Sequence, residues 1–435
     1  MSKTSASALH RRAVRHVPGG VHSNTRYRAP HPFYAAHAEG AAIWDVDGNR
    51  HLDFTMGNGS VMLGHACREV DDAVCAAIRS GLTAGVETAA AVDAVEAMAR
   101  IIPDFGQVRF ANTGTEALMH ALAIARHATG RQRIAKAEGA YHGWADPFWV
   151  STWASADQLG PADRPAAPPG SAGLSGADDT LVIQFNDVPA TEALLREHAS
   201  SLAAVVLEPV LIDVGFVPAT PAFLERVRAL TEELGIVLIF DELLTGFRLA
   251  PGGAREYYGI QADLSTYGKA LGNGYPIAAV EGSSDLLAAT DPARNGMVGW
   301  VGTYNGHPTA VAAAAAALPL LADGTSQAHL HALTDRLREG FADLSDTHGV
   351  AAAVAGAGGH FQPYFVPGAV TDYRSALSSN AARYEILVRT AAAKNILLPP
   401  KPLLHASLST AHTAEDVDEL LVAADEAFAV MRKAA

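Results

Sequence analysis

The segment AFLERVRALTEELGIVLIFDE, residues 222–242, joins two patterns that decide the fold class. Residues 222–235 repeat apolar side chains at the spacing of an amphipathic helix, and residues 236–240 form a short, uninterrupted apolar run. A continuously apolar strand is typical of a sheet that is covered on both faces. The segment therefore predicts a helix that leads directly into a buried strand of a parallel sheet.

The same alternation of patterns extends over residues 60–310. Helix-like periodicity and short apolar runs follow one another at 70–82, 91–102, 107–111, 116–130, 133–138 and 202–209. This order favours an α/β domain in which helices cover a large, mostly parallel sheet.

The two ends of the chain show different patterns. Residues 1–59 contain a basic helix-like segment at 10–17 and alternating runs on both sides of Asp47-Gly48, which predict a β-hairpin. Residues 311–435 are helical and Ala-rich, then predict short strands and a closing helix. We expect residues 311–435 to form a smaller α+β domain that meets the N-terminal unit.

Composition excludes several classes of protein. The 435 residues are 49% hydrophobic and 18% charged, so the chain can bury a large core and is neither disordered nor fibrous. The net charge of −14 makes nucleic acid and anionic membrane poor partners. Residues 310–322 are the most apolar run, which is too short for a bilayer span, and we expect a soluble protein.

Cysteine usage and the N-terminal residues indicate where the protein acts. Cys67 and Cys75 lie in no metal-ligand or disulfide pattern, so we expect neither a zinc site nor a disulfide framework. The first twenty residues lack the continuous apolar core of a signal peptide. These features predict a cytoplasmic protein.

Lys269 is the most informative single residue. It lies in DLSTYGKALGNGYP, residues 263–276, where three glycines let the backbone approach a flat ligand closely. A lysine in such a pocket can lose solvation and make its neutral amine available for Schiff-base chemistry. A solvated turn lysine is the ordinary alternative.

Asp241, an acidic residue, directly follows the apolar run at 236–240. At the carboxyl end of a strand in an open α/β fold, Asp241 would face a ligand, and its charge would need a cationic partner such as a protonated pyridine nitrogen. Capping of the next helix is the alternative. Glu242 is equally acidic, so the strand alone does not decide which of the two carboxylates faces the ligand.

Two further segments carry candidate ligand contacts. Gly114 and Thr115 stand where a strand turns into a helix, where free backbone N–H groups can hold a phosphate, although helix capping by Thr113 or Thr115 explains the same residues. Tyr141 and His142 follow a strand, and an aromatic ring there could stack on a flat cofactor or pack in the core.

The order of these segments resembles the class III aminotransferases, which are fold type I pyridoxal-phosphate enzymes. The chain is most similar to the branch that contains the glutamate-1-semialdehyde aminomutases and the β-amino-acid aminotransferases. The matching motifs, in order, are PGGVHSNTR (18–26), IWDVDGNRHLDF (43–54), LGHA (63–66), NTGTEA (112–117), AYHGW (140–144), LEPV (207–210), FDELLTGFR (240–248), YGKALGNGYP (267–276), GTYNGHP (302–308) and STAHTAEDVDE (409–419).

The resemblance implies roles around the cofactor pyridoxal 5'-phosphate. Lys269 would form the Schiff base with the cofactor and move protons, and Asp241 would pair with the pyridinium nitrogen. Gly114 and Thr115 would hold the phosphate. The residues expected to lie against or near the ring are Tyr141, His142, Glu208 and Leu243. Family members usually carry Val at the position of Leu243.

The resemblance also implies a partner subunit and a substrate contact. Thr303 would reach the phosphate of the neighbouring subunit, so a homodimer is the expected active unit. Arg26 lines up with the arginine that receives the substrate carboxylate in this branch. Arg28 is two residues away, and a solvated arginine is the ordinary alternative for both.

Two positions depart from the aminomutases. The aminomutases carry an acidic residue shortly before the AHT motif, and an ungapped count back from that motif places Leu404 at its position. The aminomutases also carry a Trp in the loop near the cofactor, and Asn58 takes its position here. Both changes fit an aminotransferase whose substrate has a carboxylate and an apolar body. Lys401 and His405 nearby would instead favour a more polar acid.

We therefore predict a pyridoxal-phosphate-dependent aminotransferase. It would move an amino group between a carboxylate-bearing α- or β-amino acid and an oxo-acid or aldehyde by a ping-pong mechanism. The nearest alternative is an intramolecular isomerase, either an aminomutase or an amino-acid racemase or epimerase. A decarboxylase and a non-catalytic binding subunit are more distant alternatives, and no metal is expected.

Overall fold

The computed structural model describes residues 5–168, 179–294 and 296–433. Within these ranges the α-helices are α1 (Ala6–Ala13), α2 (Arg68–Arg79), α3 (Ala89–Ile101), α4 (Gly114–Thr129), α5 (Asp146–Trp149), α6 (Val188–His198), α7 (Pro221–Leu234), α8 (Ala254–Tyr258), α9 (Ser284–Leu287), α10 (Pro308–Ala317), α11 (Thr325–His348), α12 (Tyr373–Leu377), α13 (Ala381–Ala393) and α14 (Ala414–Lys433).

The strands of the same ranges are β1 (Ala35–Glu39), β2 (Ala42–Asp45), β3 (Arg50–Asp53), β4 (Gln107–Ala111), β5 (Arg133–Ala137), β6 (Thr180–Ile183), β7 (Leu202–Leu207), β8 (Val210–Leu211), β9 (Val217–Pro218), β10 (Val237–Glu242), β11 (Leu264–Gly268), β12 (Ala278–Gly282), β13 (Ala353–Ala357), β14 (His360–Tyr364), β15 (Ile396–Leu397) and β16 (Ala406–Ser407).

A seven-stranded sheet in the order β4-β12-β11-β10-β7-β5-β6 forms the centre of the described structure. The pairs of β10 with β7 and β11, and of β5 with β6 and β7, are parallel, whereas β12 is antiparallel to both neighbours. Every residue of β7 and β10 is buried, as expected for strands with helices on both faces. The predicted α/β fold with a mostly parallel sheet is confirmed.

The segment at 222–242 folds as its pattern predicts. Helix α7 begins after Thr220, whose side chain accepts the backbone N–H of Phe223, and Pro221 occupies the first helical position. It ends at Gly235, which has a φ of 60°, a left-handed conformation that glycine adopts without strain. The strand β10 starts two residues later.

The N-terminal region forms the predicted hairpin. Strands β2 and β3 pair in antiparallel fashion, and Gly48 in the turn has a φ of 95°. The first helix differs from its prediction at 10–17, because the side chain of Ser5 caps it and α1 spans Ala6–Ala13.

The two ends of the chain meet in one small sheet. Its order is β1-β2-β3-β15, with β15 parallel to β3. One hydrophobic core also contains side chains from both ends and from the middle of the chain, among them Leu52, Phe110, Leu271 and Phe428. The proposed domain boundaries at 59/60 and 310/311 stay predictions.

No single helix of the described ranges has both the length and the hydropathy of a membrane span. The helical segments Pro308–Leu321 and Thr325–His348 meet these criteria only when taken together, and they are bent by 72° relative to one another.

Candidate active site

Lys269 and Asp241 lie at the carboxyl ends of neighbouring parallel strands. Asp241 in β10 is paired in register with Thr266 in β11, and Lys269 directly follows the last residue of β11. Lys269 has a φ of 47° and is half-buried. The carboxyl edge of an open parallel sheet is where ligands of α/β proteins bind. The structure therefore brings the two predicted catalytic residues to one edge.

The structure separates the roles of the two acidic residues of β10. Asp241 Oδ2 accepts a hydrogen bond from His142 Nδ1 at 2.8 Å, and Oδ1 accepts the backbone N–H of Leu243 at 3.1 Å. Glu242 instead accepts the backbone N–H groups of Ala254 (2.6 Å) and Arg255 (3.2 Å) at the start of α8. Glu242 is thus the capping residue, and Asp241 is the carboxylate at the site.

His142 holds Asp241 from a buried position. Its side chain is fully buried, and burial lowers the pKa of His142, which keeps the imidazole neutral. A neutral ring that donates from Nδ1 leaves Nε2 as an acceptor, and this atom has no hydrogen-bond partner among the described residues.

The start of α4 forms a turn with free backbone donors. Thr113 caps the helix by accepting the N–H of Glu116 at 3.2 Å, so the capping interpretation holds for Thr113. The hydroxyl of Thr115 accepts the backbone N–H of Trp144 at 3.3 Å. In the described structure no acceptor meets the N–H of Gly114 or Thr115, which leaves both available to an anion.

The side chain of Leu243 packs between two glycines. A Cβ on Gly114 would lie 2.4 Å from Leu243 Cδ1, and one on Gly268 would lie 2.7 Å from Leu243 Cδ2. Real Cβ atoms do not approach other atoms this closely. Glycine at 114 and 268 is therefore what admits a leucine between α4 and β11.

A buried lysine anchors the loop that carries Tyr141 and His142. Lys136 in β5 is completely buried. Its Nζ lies within hydrogen-bond distance of four oxygens, those of the Ala140 (2.6 Å), Phe148 (2.7 Å) and Val150 (2.7 Å) carbonyls and the Thr152 hydroxyl (3.0 Å). Burial lowers the pKa of Lys136 to about 7, and this one amino group fixes both ends of the segment between residues 140 and 152.

Aromatic rings pack around Tyr141. The Tyr141 ring stacks on Trp153 with centroids 5.2 Å apart, and Trp149 meets it edge-on at 5.8 Å. Burial raises the pKa of Tyr141 to about 12, and the nearby carboxylates Asp213 and Asp241 act in the same direction. The phenol is therefore neutral.

Glu208 and Asp213 bring two further carboxyl groups to the site. Glu208 is buried with Oε1 unpartnered, and burial together with the charges of Asp213 and Asp241 raises its pKa well above the usual value. Burial opposes ionisation of Asp213 too, but His405 and the charge of Lys269 lower its pKa. Glu208 is thus harder to ionise than Asp213.

The two departures from the aminomutases lie on segments that contact one another. Asn58 is exposed, with a φ of 55°, and the next residue, Gly59, faces the C-terminal segment. A Cβ on Gly59 would lie 3.2 Å from Nε2 of His405, the residue after the half-buried Leu404. The loop at 57–60 and the segment at 404–405 therefore meet at Gly59 and His405, and these two segments together are called the wall.

Two predicted contacts are exposed. Arg26 forms no hydrogen bond or ion pair with any described residue, whereas Arg28 donates to the carbonyl of Leu398 at 3.0 Å. Thr303 is exposed as well, two residues before Asn305, whose Oδ1 accepts from Asn112 Nδ2 at 3.0 Å. Within the described single chain, neither Arg26 nor Thr303 is hydrogen-bonded to the other site residues.

Comparison with known proteins places this geometry in a family. Residues 23–396 match the family model described as aminotransferase class-III. The chain belongs to the class III aminotransferases.

Other class III proteins resemble it over nearly their whole length. A glutamate-1-semialdehyde 2,1-aminomutase of Chloroflexus aggregans is 37% identical and matched over 95% of each chain. The crystal structure of an omega-transaminase from Sphaerobacter thermophilus is 34% identical, with a TM-score of 0.93 over 98% of each chain. A structure described as a transaminase with PLP bound is 30% identical, with a TM-score of 0.90 over 100% of this chain and 99% of the other. The fold type I architecture is therefore confirmed for this class III chain.

Sequence reasoning missed three residues of the site. The only sequence signal for Lys136 is its position inside an apolar strand, where a charged residue is unusual. Asp213 and Trp153 lie in loops without periodicity, yet the Trp153 Nε1–H donates to the Asp213 carbonyl at 3.0 Å. No metal site was predicted, and the described ranges hold no cluster of three His, Cys, Asp or Glu side chains suited to one.

We predict that Lys136→Met loosens the segment between residues 140 and 152. Methionine fills a similar volume but donates no hydrogen bond, so four buried oxygens lose the Lys136 donor, and only the Thr152 hydroxyl remains to donate to the Ala140 or Phe148 carbonyl. We expect the free energy of unfolding to fall by about 3 kcal/mol and the near-ultraviolet circular dichroism of the aromatic cluster to weaken. Urea titration and near-ultraviolet spectra of the two proteins measure this.

Thr152→Val is the matched control. It removes the hydroxyl and leaves Lys136 Nζ with three carbonyls, so we expect a loss of about 1 kcal/mol and an unchanged aromatic spectrum. Equal stability and equal spectra for Lys136→Met and the wild type would show that Lys136 does not anchor the loop.

Proposed function

We propose that this class III chain is a pyridoxal-phosphate-dependent aminotransferase. It would transfer an amino group between a carboxylate-bearing α- or β-amino acid and an oxo-acid or aldehyde in two half-reactions. The observation that carries the proposal is the Asp241 carboxylate, held by His142 next to Lys269 at the carboxyl edge of the sheet.

The residues present fit pyridoxal 5'-phosphate. Lys269 would hold it covalently through Nζ, and the free N–H groups of Gly114 and Thr115 would bind its phosphate at the start of α4. The buried, unpartnered atoms His142 Nε2 and Glu208 Oε1 lie on residues that were predicted to be near the ring. Buried polar atoms without partners are expected where a ligand completes the site.

The protein side of the chemistry follows from the charges at the site. When bound, the cofactor supplies an electron sink for the carbon that bears the amino group. Asp241 would keep the ring nitrogen protonated, since His142 holds the carboxylate in place without neutralising its charge. Lys269 Nζ would take the proton from the substrate carbon and return it. Tyr141 and Leu243 would lie on opposite faces of the ring.

The wall made by residues 57–60 and 404–405 supports transfer over isomerisation. Leu404 and Asn58 replace an acidic residue and a tryptophan of the aminomutases, and neither brings a charge to the wall. The intramolecular isomerase stays the second candidate, since aminomutases are among the similar curated proteins and Asp213 supplies a carboxylate beside His405.

The substrate would carry a carboxylate and an apolar body. Leu404 and Asn58 would contact the body, and Arg26 stays a predicted carboxylate contact. Arg26 is exposed on the N-terminal loop, so it would reach a substrate only if that loop or a second subunit brings it there.

We also propose a homodimer in which Thr303 contributes to the neighbouring site. The segment that carries Thr303 exposes large apolar side chains, namely Met297 (78% exposed), Val301 (91%) and Tyr304 (61%). Exposed apolar side chains gathered on one segment are typical of a protein interface.

We predict that the purified holoenzyme converts one equivalent of a suitable amino acid to its oxo-acid without any acceptor. A panel of α- and β-amino acids is added singly, the visible spectrum of the cofactor is recorded, and the oxo-acid is quantified. One oxo-acid per subunit, with bleaching of the Schiff-base band, is the expected result for an aminotransferase. Lys269→Ala is the control and should give none.

The isomerase would behave differently in the same assay. Its substrate would keep the amino group, a rearranged or epimerised amino acid would accumulate over many turnovers, and no oxo-acid would be released. That outcome would replace the aminotransferase proposal. Absence of a Schiff-base band after pyridoxal phosphate is added would contradict the role of Lys269.

A second prediction concerns the packing of Leu243. Gly114→Ala places a methyl group on Leu243 Cδ1, which should displace the leucine and weaken cofactor binding by about tenfold through a cost of about 1–3 kcal/mol. Leu243→Val removes the clashing atoms, so the double variant should recover most of the affinity. Equilibrium titration of the apo-proteins with pyridoxal phosphate measures it, and equal affinity of Gly114→Ala and wild type would exclude the contact.

A third prediction concerns the subunits. Light scattering should give about twice the chain mass of 45.3 kDa, because the exposed segment at 297–304 would be covered by a second copy. Val301→Asp should shift the protein toward the monomer and weaken cofactor binding with it. A monomeric wild type with full cofactor affinity would rule out a role for Thr303 across the interface.

A further inference from the structure

Trp153 is the one aromatic residue of the described ranges that lies flat on Tyr141. The angle between the two ring planes is 2°, and the ring centroids are 5.2 Å apart. Trp149 meets both rings edge-on, at 5.8 Å from Tyr141 and 5.6 Å from Trp153. Offset-stacked and edge-to-face pairs are the favoured arrangements of aromatic rings. The three side chains therefore hold one another in a closed triangle.

The position of Trp153 is itself fixed by hydrogen bonds to two segments. Its backbone N–H donates to the Gly139 carbonyl at 3.3 Å, and its indole Nε1–H donates to the Asp213 carbonyl at 3.0 Å. Trp153 has a φ of 50°, which is uncommon for a bulky residue and persists only where the surroundings determine it. The indole thus links the residues that lead from β5 to Tyr141 with the turn that carries Asp213.

Tyr141 lies beside the charged groups of the site. It precedes His142, which donates to Asp241 at 2.8 Å. Burial raises the pKa of the Tyr141 phenol, and the carboxylates of Asp213 and Asp241 add to this, so both carboxylates lie near the ring. Because Trp153 covers one face of the Tyr141 ring, a flat ligand that stacks on Tyr141 must use the opposite face.

A side chain that is already held in place binds a flat ligand more tightly than a mobile one. Immobilising a side chain on binding costs free energy, and this cost is avoided when the side chain is fixed beforehand. In the proposed function, Tyr141 and Leu243 lie on opposite faces of the pyridoxal ring. Glycines 114 and 268 define the place of Leu243, and Trp153 supplies the corresponding constraint on Tyr141.

We propose that Trp153 is a positioning residue that holds the Tyr141 ring in the orientation in which it stacks on the cofactor. The inference rests on the proposed function, since Tyr141 and the cofactor belong to that same site. The indole ring orients Tyr141, and the hydrogen bond to the Asp213 carbonyl holds the indole.

The test measures cofactor binding and needs no turnover. Holoenzymes of the wild type, Trp153→Leu and Trp153→Phe are dialysed against a series of pyridoxal phosphate concentrations, and occupancy and visible circular dichroism are recorded. We expect Trp153→Leu to weaken binding by about fivefold, because a mobile Tyr141 must be immobilised, and to reduce the dichroism per bound cofactor. Trp153→Phe keeps a ring but loses the N–H, and its affinity should stay within about twofold of wild type.

A double-variant cycle shows whether Trp153 acts through Tyr141. A Tyr141→Leu protein has no phenol ring to position, so adding Trp153→Leu to it should change the affinity by less than about twofold. An equal loss of affinity from Trp153→Leu in both backgrounds would mean that Trp153 acts independently of Tyr141, which would overturn the proposal.

Trp44→Leu is the matched control, because Trp44 in the N-terminal hairpin also stacks on a neighbouring ring. Its partner is His37, with centroids 4.5 Å apart and an angle of 12° between the planes. This variant should keep the wild-type affinity and dichroism. Melting temperatures show whether each variant is folded. If Trp153→Leu does not fold, Trp153→Met takes its place, since methionine fills irregular space without an aromatic ring.

Three outcomes would contradict the proposal. A Trp153→Leu variant that is less stable but binds the cofactor with wild-type affinity and dichroism would make Trp153 a packing residue. A Trp153→Phe variant as weak as Trp153→Leu would assign the effect to the hydrogen bond with Asp213 instead of the ring. A wild type that binds no pyridoxal phosphate would overturn the proposed function as well, whereas the first two outcomes leave that function standing.

Discussion

The site is arranged around the need to bury the charge of Asp241. A carboxylate at the end of a fully buried strand is stable only with partners, and the protein provides His142 on one oxygen and the N–H of Leu243 on the other. His142 must then stay neutral in its own buried position, and its loop must be held in place. Lys136 does this from β5. The position of the Asp241 carboxylate therefore depends on the loop that carries His142, and the position of that loop depends on the buried Lys136.

Much of the fold and part of the site follow from local patterns. The helix and strand at 222–242 were predictable because capping residues and apolar spacing act within a few positions. The order of ten motifs predicted the family, and the parallel alignment of β10 with β11 explains why Asp241 and Lys269 come together. Their roles in catalysis stay predictions until substrates are tested.

The rest depends on packing between distant segments. Asp241 and Glu242 are neighbours of equal charge, and only the position of α8 shows that Glu242 caps a helix. Asp213 and His405 lie far apart in sequence, and no local pattern predicts that they meet. The same holds for the contact between Gly59 and His405. His405 directly precedes β16, and the sheet of β13, β14 and β16 brings it next to Gly59.

The pairing of β3 with β15 also has a consequence for how the chain folds. Leu52 and its partner Ile396 lie far apart along the chain, so Leu52 is made long before the strand that pairs with it. Contacts this distant in sequence form slowly and late. The N-terminal hairpin therefore keeps one edge open until its partner strand has been made, and an open strand edge is a binding site for a chaperone or a neighbouring nascent chain.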